Sequence, residues 1–116
     1  VPERLNVSVA VHRLGGTGVL AVAGELDLGT VPAVRIRLGE VFARGTTAVV
    51  ADFDGVTFCS AAGLHLIDEL HRRSAACPAS FGVVAGKPVT GLFELLELPT
   101  GIRVYPTLTA ALAPER

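Results

Sequence analysis

Residues 46–70, TTAVVADFDGVTFCSAAGLHLIDEL, limit what this chain can fold into more than any other stretch. Residues 48–51 form a small apolar run with two β-branched valines, the pattern of a strand covered on both faces. Asp52, Asp54 and Gly55 carry turn chemistry, because aspartate bonds its own backbone and glycine accepts positive φ. Residues 56–59 read as a short extended segment, and Ser60 as the N-cap of a helix starting at Ala61. At about 100° per residue, Gly63, Leu66, Ile67, Leu70 and Ser74 share one side of that helix, and His65, Asp68, Glu69 and Arg72 the other. Leu64 lies at the border, near the helix mouth. The first turn presents unpaired N–H groups and the positive end of the dipole, which favours an anion. A strand feeding that turn makes Ser60 and its neighbours the natural site of the chain.

The flanking segments supply the remaining layers. Residues 5–12 alternate, with Leu5, Val7, Val9 and Val11 on one face and Asn6, Ser8, Ala10 and His12 on the other. Gly15, Gly16 and Gly18 mark a turn into a second, antiparallel strand over residues 19–22. That glycine run is a hairpin rather than a phosphate cradle, since no Lys-Ser/Thr follows it and a strand comes next. Residues 24–30 read as a loop into a helix capped by Thr30, with Pro32 in its first turn. Val34, Leu38, Val41 and Phe42 recur at helical spacing, and Gly45 is placed to end the helix. After the central strand and helix, which stops near Cys77 and Pro78, residues 81–85 form another apolar strand. Pro88 opens a helix carrying Val89, Leu92, Phe93, Leu95 and Leu96, closed by Pro99 and Gly101. Residues 102–105 give a last strand, and Thr107 caps a short helix through Leu112. The order β-β-α-β-α-β-α-β-α implies one α/β domain over residues 1–116. Its sheet is mixed but mostly parallel, with an N-terminal hairpin and about four helices. Leu5 is expected to start an ordered core that runs to about residue 113, with residues 114–116 fraying. Val34, Leu38, Phe42, Val49, Ile67, Leu70, Phe93 and Leu96 are expected in the core.

At 116 residues the chain can bury roughly two-thirds of its unfolded surface. Half of its residues are hydrophobic, yet no apolar run approaches the ~20 needed to cross a bilayer. The opening VPERLNVSV is polar and alternating, unlike a signal peptide. A net charge of −1 with scattered basic residues marks no nucleic-acid surface. Cys59 and Cys77 flank the long helix and should lie ~20 Å or more apart, beyond the reach of a disulfide. Two free thiols fit a reducing cytoplasm.

Several side chains invite chemistry. Asp27 and Asp52 are placed just past the carboxyl ends of the second and third strands, where ligands of open α/β sheets collect. Each is either a contact residue or a loop carboxylate holding backbone N–H groups. No third ligand or complementary histidine lies near them in sequence, so neither a metal site nor an acid–base pair is expected. Cys59 beside an electropositive helix mouth is either a reactive thiol or a small core hydrophobe, and core packing is favoured. No base or oxyanion arrangement accompanies it, so the chain is not read as an enzyme. His65 and His71 lie about 120° apart on the helix and read as solvated residues rather than a metal pair. Leu64 is either part of a flat apolar patch with Ala61 and Ala62 or partly buried beneath the loop after Gly24.

The run Asp52-Phe53-Asp54-Gly55-Val56-Thr57-Phe58-Cys59-Ser60-Ala61-Ala62-Gly63-Leu64 resembles the signature of STAS domains, the fold of bacterial anti-sigma factor antagonists. The resemblance extends along nearly the whole chain, through Gly24-Glu25-Leu26-Asp27, Pro88-Val89 and Leu95-Leu96-Glu97-Leu98. It implies a cytoplasmic protein-interaction module that binds a kinase-like anti-sigma factor, releases a sigma factor and so regulates transcription. Neither cofactor nor small-molecule substrate is implied. The implied binding surface comprises Asp27, Asp52, Ser60, Ala61, Ala62, Gly63 and Leu64, with the outer face of the helix that follows. The family's phosphorylated serine falls on Ala61, which cannot accept phosphate, and the preceding family aspartate falls on Ser60. Ser60 and Thr57 are weaker alternative acceptors, and N-capping is the favoured role of Ser60. Constitutive binding, or a partner that is not a kinase, would follow. The other reading is a STAS module of a transporter or a sensor assembly.

Overall fold

The computed structural model describes residues 6–96 and 101–113. An antiparallel hairpin opens the fold, β1 (Val7–Leu14) pairing with β2 (Thr17–Leu26) across Gly15 and Gly16. Two short helical segments follow, α1 (Val31–Arg35) and α2 (Leu38–Val41), and then β3 (Ala48–Cys59) and α3 (Ala61–Ala76). The rest is β4 (Ser80–Ala85), α4 (Lys87–Leu96), β5 (Arg103–Tyr105) and α5 (Leu108–Leu112). The five strands lie in the order β1-β2-β3-β4-β5, and every pair after the hairpin is parallel. This is the expected α/β architecture and element order, with its first helix split in two.

Strand alternation sorts the side chains between two unequal layers. Leu20, Ala51 and Val83 sit in register across three strands and face the main core with Phe53. Val31, Val34, Leu38, Val41, Leu66, Ile67, Leu70 and Val89 cover them from α1 to α4. On the other face Val19, Val50 and Val84 form a small cluster beneath Leu108 and Ala111 of α5. That helix is capped by the Thr107 hydroxyl, which accepts from Ala110 N at 3.1 Å. β1 and the rest of β2 lie on this face beyond that small cluster.

Five local expectations need correction. Asp52, Asp54 and Gly55 do not end a strand, because β3 runs unbroken from Ala48 to Cys59. Register shifts against β2 at Ala21/Ala23 and Gly24/Glu25 absorb the extra residues as bulges. The Asp52 carboxylate still accepts from Asp54 N at 3.3 Å, so its turn-forming habit persists inside the strand. The residues read as a loop from Gly24 belong in part to β2, which ends at Leu26. The first helix breaks at Ile36 and Arg37, where Arg37 N bonds Val34 O at 2.9 Å, tightening the ladder to three-residue spacing. It finishes at Val41, and Gly45 (φ 87°) instead serves a turn in which Thr46 N bonds Ala43 O. Of the expected core, Phe42 and Phe93 are half-buried against it and Leu96 is 47% exposed. Leu5, Glu97, Leu98, Pro99 and residues 114–116 lie outside the described residues.

No helix among the described residues is long and apolar enough to cross a membrane.

Candidate functional site

The junction of β3 and α3 is held to the end of β2. Ser60 adopts extended backbone, and its hydroxyl accepts from Ala62 N at 3.2 Å, the expected N-cap. Its own N–H donates to Leu26 O at 2.9 Å, and its carbonyl accepts from Gly63 N at 3.0 Å. A backbone bond therefore fastens the N-cap of α3 to the end of β2. Ala61 is exposed there and Ala62 half-buried, while no acidic residue occupies that turn.

Gly63 sets how closely helix and strand approach. A methyl group at this position would lie 2.6 Å from the Cys59 sulfur and 3.0 Å from Leu26 side-chain carbons. Gly63→Ala would gain roughly 1 kcal/mol of helix propensity. It would lose about 1–3 kcal/mol to overpacking among buried neighbours. The expected outcome is a net loss of about 1 kcal/mol, read as a lower urea midpoint with an unchanged slope.

Cys59 is core, 7% exposed, and burial pushes its thiol up to about 11. Both cysteines are free. Leu64 is 3% exposed, so it packs inside the domain and contributes no apolar patch at the helix mouth. Of the two readings open for Leu64, burial is the one the structure shows, and the flat patch with Ala61 and Ala62 is not formed. The outer face of α3 holds exposed His65, the Asp68–Arg72 ion pair at 3.0 Å, and Glu69 bound to Arg35 of α1 at 3.0 Å. His71 is not simply solvated, because its ring stacks on Phe81 with centroids 5.7 Å apart.

Asp27 lies one residue past β2, as expected, and organises the loop into α1. Its Oδ1 accepts from Gly29 N at 2.9 Å and Thr30 N at 3.0 Å. Thr30 makes no side-chain cap to α1; its hydroxyl donates to Glu25 O at 2.7 Å and accepts from Asp27 N at 2.9 Å. The loop thus closed on itself holds Leu28 outward, 82% exposed.

Asp52 is elsewhere. It pairs with Ala21 within β3, seven residues before Cys59, or about 20 Å of strand. Its side chain shares a face with Val50, the face opposite the main core, and lines a shallow groove with Ser8, Ala10, Ala21, Ala23 and Asp54. The position past the end of its strand is therefore corrected. The structure brings together Asp27, Ser60, Ala61, Ala62 and Gly63, and leaves Asp52 apart.

Two residues of this end of the sheet have no counterpart among the sequence candidates, Leu28 and Phe58. Phe58 pairs with Glu25 beside the Asp27 loop and is 51% exposed. Both are large apolar groups facing solvent at this end of the sheet. Phe58 carried a signal, since Cys59 beside it reads as core and neighbours in a strand face opposite ways. Leu28 carried none. Among the described residues no group of three His, Cys, Asp or Glu side chains could hold a metal ion.

Comparison with known proteins matches residues 8–111 to the STAS domain. The anti-sigma-F factor antagonist RsfB, from two strains of Mycobacterium tuberculosis, is 36% identical over 112 residues. That covers 96% of this chain and 89% of the relative. The crystal structure of an anti-sigma factor antagonist from Mycobacterium paratuberculosis superposes with a TM-score of 0.82 at 32% identity, covering 91% of each chain. The anti-sigma factor antagonist SpoIIAA in its unphosphorylated form shares the fold at 19% identity, with a TM-score of 0.72 over 90% of this chain and 93% of that one.

Proposed function

The chain belongs to the STAS domain family, and from that premise we propose that it is an anti-sigma factor antagonist. In this reading it binds a kinase-like anti-sigma factor in the cytoplasm and frees a sigma factor for transcription. The observation that carries the reading is 36% identity to RsfB along 96% of the chain. The chain acts by binding rather than by catalysis. Its one thiol near the helix mouth is buried and held protonated, which suits packing and not nucleophilic attack.

The proposed contact surface is the Asp27–Leu28 loop together with the first turn of α3 around Ala61. Asp27 shapes it by spending Oδ1 on loop N–H groups, while Leu28 and Phe58 offer the apolar area that interface centres favour. Ala61 occupies the position that the family resemblance assigns to the phosphorylated serine. With a methyl group there, binding is constitutive and kinase activity has nothing to modify at that residue. The N-cap bond of Ser60 supports a structural role for it over that of a substitute acceptor.

The test is direct binding of the purified chain to the anti-sigma factor of its own organism, by calorimetry, in the presence and absence of ATP. Submicromolar affinity that ATP does not diminish is expected. Leu28→Ala should weaken it about tenfold, the loss of ~1.4 kcal/mol typical of a well-placed apolar anchor. Absence of binding at every concentration tried would sink the assignment.

A further inference from the structure

We infer that β1 is a self-pairing edge: two copies of this chain join their sheets through antiparallel β1 strands, against the hold of Arg37. β1 is the outer strand of the sheet and bonds only to β2 among the described strands. Residues of an antiparallel strand turn their backbone groups alternately toward and away from the neighbour. Asn6 O accepts from Glu25 N at 2.7 Å, so the even-numbered residues face β2. Val7, Val9 and Val11 therefore direct their N–H and C=O groups away from the sheet. Arg37 Nη1 reaches Val9 O at 3.4 Å from the far side, as that orientation requires.

The strand suits a second copy of itself. Val7-Ser8-Val9-Ala10-Val11 is nearly palindromic about Val9. With a two-fold axis at Val9, the outward groups of Val7 meet those of Val11 of the partner subunit, and Ser8 lies against Ala10 of the partner subunit. All three valines then share one face and pair with valines, a cross-strand combination that packs well. Residues 6–11 carry no charge, and His12 falls opposite Asn6 of the partner subunit, so no like charges meet. The same valines are only half-buried in the single chain, although they pack against the main core. Pairing would extend that core and satisfy an edge that proteins otherwise blunt with charge, bulges or proline.

Arg37 is the blunting device here. It is bound to Glu40 through both Nε and Nη2, and its remaining Nη1 contact lies on the strand edge. Pairing must displace that contact, so Arg37 sets the balance between monomer and dimer.

Sedimentation velocity of the purified chain from dilute to concentrated solution tests this. The mass should rise from 12.0 kDa toward twice that value. Arg37→Ala should tighten the dimer about fivefold, the scale of one competing hydrogen bond. Val9→Pro should abolish it, because the N–H removed points outward and proline is tolerated on edge strands. Hydrogen exchange on the unaltered chain serves should Val9→Pro not fold: the amides of Val7, Val9 and Val11 should slow as concentration rises. A wild type and an Arg37→Ala variant that both remain monomeric would overturn the inference. So would a dimer that leaves those three amides exchanging as fast as in dilute solution.

Discussion

Ala61→Asp is expected to keep the fold and lose the partner. Ala61 is exposed in the first turn of α3, a turn that carries no acidic residue. A carboxylate there remains hydrated in the free protein and meets the positive end of the helix dipole, a gain of roughly 0.3–1 kcal/mol. The Ser60 cap, made through Oγ to Ala62 N, involves no atom of the replaced side chain. Thermal and urea midpoints should therefore match or slightly exceed those of the wild type. A protein packed over the same turn must strip water from that charge or face it with its own acids, at a cost of about 2 kcal/mol or more. That is about a thirtyfold loss of affinity. Calorimetry against the anti-sigma factor reads the binding, and urea unfolding of both variants reads the stability. Equal affinities would move the interface away from α3, whatever the family of the chain.

Ala61 is legible in the sequence because its surroundings repeat simple patterns. The valines of β1 alternate, Ala48 to Ala51 have the composition of a covered strand, and α3 keeps its apolar residues on one side. All three patterns reflect burial, which tertiary structure enforces. The failures share a different origin. Asp52, Asp54 and Gly55 have local turn propensity, but Asp52 pairs with Ala21 on one side and Val84 on the other, and ladder bonds to two strands outweigh it. Bulges within β3 itself let the strand continue without losing the inward direction of Phe53, Val56 and Cys59. Leu64 seemed marginal on the helical wheel because a wheel omits what lies over the helix mouth. There the end of β2 is bonded to Ser60, and that extends the buried stripe to the first turn. Leu28 was illegible for the opposite reason, since one apolar residue in a short loop has no period. Only the Asp27 and Thr30 bonds show that its side chain is held outward.

In native protein at pH 8, Cys59 should react with a thiol reagent at least about a hundredfold more slowly than in the unfolded chain. The thiolate is the reacting form, and burial pushes the Cys59 thiol up to about 11, well above the ordinary thiol range. Steric access slows it further, since Cys59 is only 7% exposed and Gly63 packs close to its sulfur. Cys77 caps the far end of α3 in an exposed position and should be labelled without delay. Mass spectrometry after brief alkylation should find one adduct on the native protein, at Cys77, and two after denaturation in urea. No species should lack both adducts through an internal disulfide. The pH dependence has a definite sign. The unfolded chain gives up the Cys59 proton first, so any stability tied to this group is present below the ordinary thiol range and is lost as pH rises toward about 11. Labelling of native Cys59 should climb over the same interval. Rapid modification of Cys59 in the native protein near neutral pH would mean an accessible thiolate at the helix mouth. It would reopen a chemical role for the site, in place of the binding role argued from Ala61, Asp27 and Leu28.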